Sequence, residues 1–247
     1  MSDLQFAEPP VRDERFHVVE RWSEMVNLPD GHPEKPLEFL HRQMNEETNV
    51  MENAARSLAQ FPDAEWGIRM WLARQCADEA RHVDVYRRLL ERRGGRIGQY
   101  PVMNFQYRIL GAIDSLIGRL AVQNRTFEAD GLDAAVFGAG VARAQGDDEL
   151  ADVYEAQSAD EVLHVRFANE YIRRKIQEDG RNVLRMATAL TYGSRAFQSV
   201  FADGGTDVTK YGVAERERLE AGFAPDEVHV AVEQSETRRR ALRERQA

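Results

Sequence analysis

Apolar side chains recur at alternating steps of three and four residues through most of the chain, the spacing that gathers them on one face of an α-helix. The clearest run is Leu37, Leu40, Met44, Met51, Ala54, Leu58 and Phe61, which predicts a helix over residues 37–60. One position of this seam, Glu47, holds a carboxylate where the pattern asks for an apolar residue. Phe61 and Pro62 close the helix, and Asp63 can cap a second from Ala64 to Arg93, stopped by Gly94 and Gly95. A longer connection through Tyr100 and Pro101 leads to a third helix over 104–130. Its seam reads Leu110, Ile113, Ile117, Leu120, Asn124 and Glu128, so a carboxylate again interrupts an apolar face. Gly131 is expected to kink or stop that helix before a short piece over 132–144. Asp147 and Asp148 open a fourth long helix, 147–178, which Gly180 ends.

Five prolines crowd the first 36 residues, and only Pro62, Pro101 and Pro225 follow. No segment alternates apolar and polar residues between turn pairs, so no strand is expected. The pattern predicts an all-α chain in three parts: an N-terminal extension (1–36), a four-helix bundle (37–180) with its longer crossover between the second and third helices, and a C-terminal helical extension (181–247). The last part reads as one more helix, a glycine-containing loop at 202–206 and a charged helix after Pro225. The arginines from Arg238 to Arg245 read as a solvated face.

Composition narrows the chemistry. With 43% hydrophobic and 30% charged residues, 247 residues can bury a core and keep a solvated surface. The 33 Lys and Arg against 42 Asp and Glu give a net charge of −9, the wrong sign for a protein that grips phosphate backbones. Cys76 is the single cysteine, which excludes an intramolecular disulfide and any metal site made of thiolates alone. That usage suits a reducing cytoplasm. The first residues include acids and no apolar run, and no stretch reaches the roughly 18 apolar residues of a membrane span. A soluble, cytoplasmic protein is expected.

The most informative feature is a near-repeat. CADEARHV at 76–83 and SADEVLHV at 158–165 share five of eight positions, and each holds Glu-x-x-His: Glu79 with His82, and Glu161 with His164. On a helix, residues three apart are separated by about 60° and about 4.5 Å, so carboxylate and imidazole project from one face as half a metal site. Such groups are costly to bury unless paired or metal-bound. The seam glutamates supply the missing ligands, Glu47 lying 32 residues before Glu79 and Glu128 lying 33 before Glu161. Copying the second spacing would select Glu46 instead. Glu47 is preferred because it completes the apolar seam, from which Glu46 lies about 100° away. Oxygen and nitrogen ligands without thiolate suit iron or manganese.

These six residues match the scheme of one Glu from each of two helices and Glu-x-x-His from each of the other two. Residues 37–178 thereby resemble the ferritin-like di-iron carboxylate family, which includes rubrerythrins, bacterioferritins and the bacterial multicomponent monooxygenases. The string Asp-Glu-Ala-Arg-His at 78–82 is similar to the monooxygenase and desaturase form of the motif. LAQFPDAEW at 58–66 resembles a group of bacterial ferritin-like proteins related to the di-iron transfer-RNA hydroxylases. The resemblance implies a ferritin-like bundle, two iron ions (or a manganese–iron pair) and dioxygen as co-substrate. It further implies an oxygen-dependent oxidoreductase, of hydroxylase, monooxygenase or N-oxygenase type, acting on a small organic molecule. Ferroxidase or rubrerythrin-like peroxide chemistry is one alternative, and a non-enzymatic helical module with a structural metal is another.

Further residues take roles on the same reading. Asp78 and Asp160 precede the ligand glutamates, and in the monooxygenases they resemble such aspartates bond the histidine of the opposite motif, which pairs Asp78 with His164 and Asp160 with His82. Asn124, Tyr154, Tyr86 and Cys76, with Trp71, lie where they can line a substrate pocket, core packing being the plainer account of the aromatics and the cysteine. His17, His32, His41 and His229 have no acid at metal-ligand spacing. Re-reduction needs an external electron donor, since the chain holds no Cys-x-x-Cys module and no Gly-rich dinucleotide fingerprint. The long extensions favour a lidded pocket or a homodimer over a cage. A transfer-RNA substrate follows from resemblance alone, and the acidic balance argues against it.

Overall fold

The computed structural model describes residues 6–202 and 211–246. They divide into two compact units, the first from residues up to 119 with 187–205, the second from 120–186 with 206–247. The described residues are overwhelmingly helical, as the apolar spacing predicts. No described helix is long and apolar enough to cross a membrane.

In the first unit, α1 (Lys35–Gln60) and α2 (Trp66–Arg92) pack along each other as a helical hairpin. Leu40 and Met44 of α1 and Leu72, Tyr86, Leu89 and Leu90 of α2 are almost fully buried, so the heptad-like seam does become the core. α2 starts two residues later than expected, because Ala64 N–H closes a turn onto Phe61 O and Glu65, not Asp63, stands at its N-cap. The crossover after α2 holds a feature that the sequence pattern missed. β1 (Val18–Val19) and β2 (Val102–Met103) pair in parallel, Val18 opposite Val102 and Val19 opposite Met103. Asn45 and Asn49 of α1 donate to Met103 O at 2.8 and 3.3 Å and tie this small sheet to the hairpin.

His41, which sequence spacing left without a role, fastens the same crossover. It is fully buried on α1, and its Nε2 accepts the Gly98 N–H at 2.8 Å, so the imidazole proton sits on Nδ1. Gly98 has φ +78°, and a Cβ there would stand 1.9 Å from Arg15 O, so no other residue fits that turn. Burial pushes the His41 imidazole from 6.5 down to about 4. The unfolded chain therefore binds the extra proton between those values. The stabilisation from keeping His41 neutral is complete above about pH 6.5 and is lost as pH falls toward 4, by at most about 3 kcal/mol. His41→Gln keeps an acceptor at the Nε2 position and does not titrate. Melting temperatures measured between pH 7 and 4 should fall more steeply for the native chain than for this variant, and parallel curves would remove His41 as a source of acid sensitivity.

α3 (Phe105–Gly111) is short and ends before a break at 112–115. The single helix expected over 104–130 is thus divided at a place with no proline. Ser115 explains the restart: its Oγ accepts the Gly118 N–H at 3.2 Å and caps α4 (Leu116–Val122). Above it, Phe105 stacks edge-on against Phe197 and Phe201, residues carried by α7 (Asn182–Val200) and the turn after it.

In the second unit the chain runs on through a π-helical segment, Gln123–Glu128, into α5 (Ala129–Ala144). The expected stop at Gly131 does not occur. A glycine inside a helix costs only about 1 kcal/mol relative to alanine, and the buried face of Ala129, Leu132, Ala135, Ala139 and Ala142 continues past it. α5 forms a second hairpin with α6 (Asp148–Glu178), which Asp147 caps through Leu150 N–H at 3.2 Å. Ala129, Leu132, Val162, Val165 and Ala221 make its core. A short helix α8 (Glu215–Glu220) that the sequence pattern missed precedes α9 (Pro225–Gln246). The loop expected at 202–206 falls, from residue 203 onward, outside the described residues.

Candidate metal centre

Each unit holds one half of the expected ligand set. In the first, α1 presents Glu47 and α2 presents Glu79 and His82. Their relative exposures are 6%, 0% and 6%, values that place two carboxylates and an imidazole inside the core. His82 Nδ1 lies 2.9 Å from Glu79 Oε2 and 3.5 Å from Glu47 Oε2. Ligand atoms of the three residues all lie within 4.8 Å of one another, a cluster that can hold a metal ion. Glu46 is turned elsewhere: it is half-buried, 3.9 Å from Arg42 Nε one turn back. Glu47, the seam glutamate, is the one that lies in the cluster with Glu79 and His82.

The second unit repeats this arrangement with different helices. Glu128, at the end of the π segment, and Glu161 and His164 of α6 are 4%, 3% and 0% exposed. His164 Nδ1 lies 3.3 Å from Glu161 Oε2 and 3.7 Å from Glu128 Oε2. The three are again a compact cluster of ligand atoms. In both halves the imidazole faces two carboxylates through the same nitrogen, as identical i, i+3 spacing requires.

The π segment shapes the second half. A π turn aligns residues five apart, and it sets Gln123 under Glu128, where Gln123 Nε2 donates to Oε1 at 3.3 Å. Asn124, one turn before Glu128, donates to Oε2 at 3.1 Å and also to His164 O at 3.2 Å. Both oxygens of Glu128 are therefore held by carboxamides. Gln157 Nε2 lies 3.5 Å from Glu161 Oε1 in the same relation, and Gln75, 1% exposed, sits one turn before Glu79. Sequence reading missed these glutamines although the signal was present: Gln75 and Gln157 each directly precede the near-repeat and lengthen it by one identical position.

The remaining expected residues are placed as follows. Asp78 accepts from Arg74 and Arg81 of its own helix at 3.4 and 3.2 Å, and Asp160 is half-buried on α6. Tyr86 is fully buried two turns beyond Glu79. Tyr154 is buried two turns before Glu161, packed so closely on α5 that a Cβ at Gly138 would lie 2.9 Å from its ring. Cys76 is half-buried, and burial together with the Glu79 charge raises its thiol. Trp71 is half-buried with Arg74 stacked 5.2 Å above its ring.

Residues 2–229 match the model of a family described as "Protein of unknown function (DUF455)". No curated protein and no solved structure matches the chain.

Proposed function

The chain belongs to the DUF455 family, whose description names no activity, and from its own residues we propose that it is an oxygen-dependent di-iron oxidoreductase acting on a small organic substrate. The observation that carries this reading is the duplicated buried set: Glu47, Glu79 and His82, then Glu128, Glu161 and His164. Each set carries two carboxylates and one imidazole that is neutral as a ligand. One divalent cation balances the charge of each set, and two balance the whole, whereas the bare carboxylates are expensive to bury. Carboxylate and imidazole without thiolate fit ferrous iron or manganese. On this reading α1, α2, the π-containing helix and α6 are the four helices of a ferritin-like bundle.

Bound there, a pair of ferrous ions would supply electrons for the reduction of dioxygen, the protein supplying geometry and access. The chain's own contribution starts with orientation. Gln123 and Asn124 fix the Glu128 carboxylate, Gln157 steadies Glu161, and the Asn124 bond to His164 O ties the π segment to α6. On taking up the ligand role, the Nδ1 edges of His82 and His164 give up any proton they share with the facing carboxylates. Tyr86 and Tyr154 exclude water beside the motifs. An external reductant completes the cycle.

The test is oxygen uptake by the anaerobically reduced, iron-loaded protein. Uptake that starts when a small organic substrate is added supports the oxygenase reading. Equally fast uptake driven by added ferrous ion alone would favour a ferroxidase. Absence of uptake with metal firmly bound would leave a structural metal.

A further inference from the structure

Away from the ligand sets, α2 carries an apolar face that is open to solvent among the described residues. Trp66, Met70, Ala73, Ala77 and Ala80 follow one another at steps of 4, 3, 4 and 3, so they form one stripe along the helix, which Asp84 ends. Trp66 is 77% exposed and Met70 50%, Ala77 and Ala80 are exposed, and Ala73 is half-buried. The positions that serve the core, Ile68, Leu72, Gln75, Glu79 and His82, lie on the opposite side and are all buried. The helix is thus apolar toward solvent as well as toward α1. The second motif helix shows that the motif does not require this. With the near-repeat aligned, the positions of Trp66, Met70 and Ala73 fall on Asp148, Asp152 and Glu155 of α6, acids at least 58% exposed.

Trp66 in water forgoes the free energy that its burial in a complex would release, and Trp, Met and Arg are side chains that interfaces collect. The 4, 3, 4, 3 spacing is the seam of a contact between two helices, since a second helix laid along α2 meets it at the same steps. Three alanines in the seam let that helix approach closely. They also give lipid little to hold, so the face suits a helix better than a membrane surface.

The edges of the stripe fix the charge of the partner. Arg74, Arg81 and Arg88, seven residues apart and all exposed, line one edge. The other edge holds Arg69, Cys76 and Val83, so neither edge carries an acid. Arg74 and Arg81 both pair with Asp78, at 3.4 and 3.2 Å, and Arg88 pairs with Asp84 at 2.7 Å, which sets three guanidinium groups against two carboxylates. A second copy of this helix is a poor match. Antiparallel pairing sets Arg74 and Arg81 beside their own counterparts, and parallel pairing sets Arg69 beside Arg74. Acidic edges supply the complement.

We propose that this face of α2 docks an amphipathic α-helix of a second protein, whose apolar seam covers Trp66 and Met70 and whose flanking carboxylates pair with Arg74, Arg81 and Arg88. Docking uses none of the glutamates and histidines of the metal centre, so it stands or falls apart from the metal reading.

The probe is a synthetic three-heptad peptide with Leu at its seam positions and Glu along both edges, whose like charges keep it from pairing with itself at neutral pH. A twin with Lys along the edges is the control. In fluorescence anisotropy with the full-length protein at low salt, the Glu peptide should bind saturably with a Kd of about 10 μM or tighter, and the Lys peptide at least about tenfold more weakly. Trp66→Ala should weaken the Glu peptide at least about tenfold, as expected of an anchor residue, and leave the melting temperature unchanged because Trp66 is exposed in the free protein. Arg74→Glu with Arg81→Glu should reverse the preference toward the Lys peptide, a result that an unfolded variant does not give. No saturable binding of the Glu peptide, equal binding of the two peptides, or undiminished binding by Trp66→Ala would overturn the proposal. So would Trp66-dependent binding to phosphatidylserine vesicles, which would make the face a membrane contact, or a dimer that Trp66→Ala dissolves, which would make it a contact between copies.

Discussion

Replacing Glu79 and Glu161 together by glutamine is expected to move stability in opposite directions with and without metal. In the metal-free protein each set buries two carboxylates against one imidazole, at most 6% exposed. Glutamine preserves shape and removes one charge from each set. Two carboxylates crowded on one imidazole repel each other, and removing one of the like charges relieves that repulsion, so the chelator-treated variant should melt above the chelator-treated native chain. With ferrous ion the order reverses. A ligand that binds only the folded state adds about 4 kcal/mol when present at a thousand times its Kd, and the variant should forfeit most of that. Anaerobic melting curves with chelator and with ferrous ion give both signs in one experiment. An unchanged metal-induced shift in the variant would show that these two glutamates hold no metal.

Asp133→Ala should be the most damaging single change in the second unit. The Asp133 carboxylate, 4% exposed, accepts from Arg218 Nε and Nη2 at 3.0 and 2.7 Å and from Ala214 N–H at 2.9 Å. Arg218 is itself 8% exposed and also donates to Ala129 O at 3.3 Å, immediately after Glu128 of the candidate metal centre. Truncating the acid leaves a buried guanidinium without its main partner, at a cost of about 3–5 kcal/mol. The pair Asp133→Leu with Arg218→Met removes both charges and should recover most of the loss, which a double-mutant cycle in urea would measure. A loss below about 1 kcal/mol in the single variant would mean that water reaches Arg218 readily.

The buried Glu and His clusters were more legible in the sequence than the path of the chain around them. Glu47 and Glu128 could be found because a carboxylate inside an apolar seam breaks a regular pattern, and Glu79, His82, Glu161 and His164 because the motif occurs twice. Gln75 and Gln157 stand one residue before the repeat's first differing position, Cys76 against Ser158, which hides the identity behind it. Gln123 was hidden for a physical reason: under α-helical spacing it points away from Glu128, and only a π turn brings the two together. The break at 112–115 was also invisible to apolar periodicity, which runs through Leu110, Ile113 and Ile117 without a fault. The signal lay in Ser115, a capping residue three positions before Gly118. Gly131 misled in the other direction, since glycine propensity is weak beside a continuous buried face. Two strands of two residues each are too short to leave any alternation at all.

The central claim, that the duplicated Glu, Glu and His sets hold a pair of iron ions, is tested most directly by counting metal. The reduced protein, loaded anaerobically with ferrous ion and desalted, should carry about two irons per chain by elemental analysis, as the ligand scheme requires. The Glu79→Gln, Glu161→Gln double variant treated in the same way should retain well under one. Two irons per chain in that variant, or none in the native protein, would contradict the account.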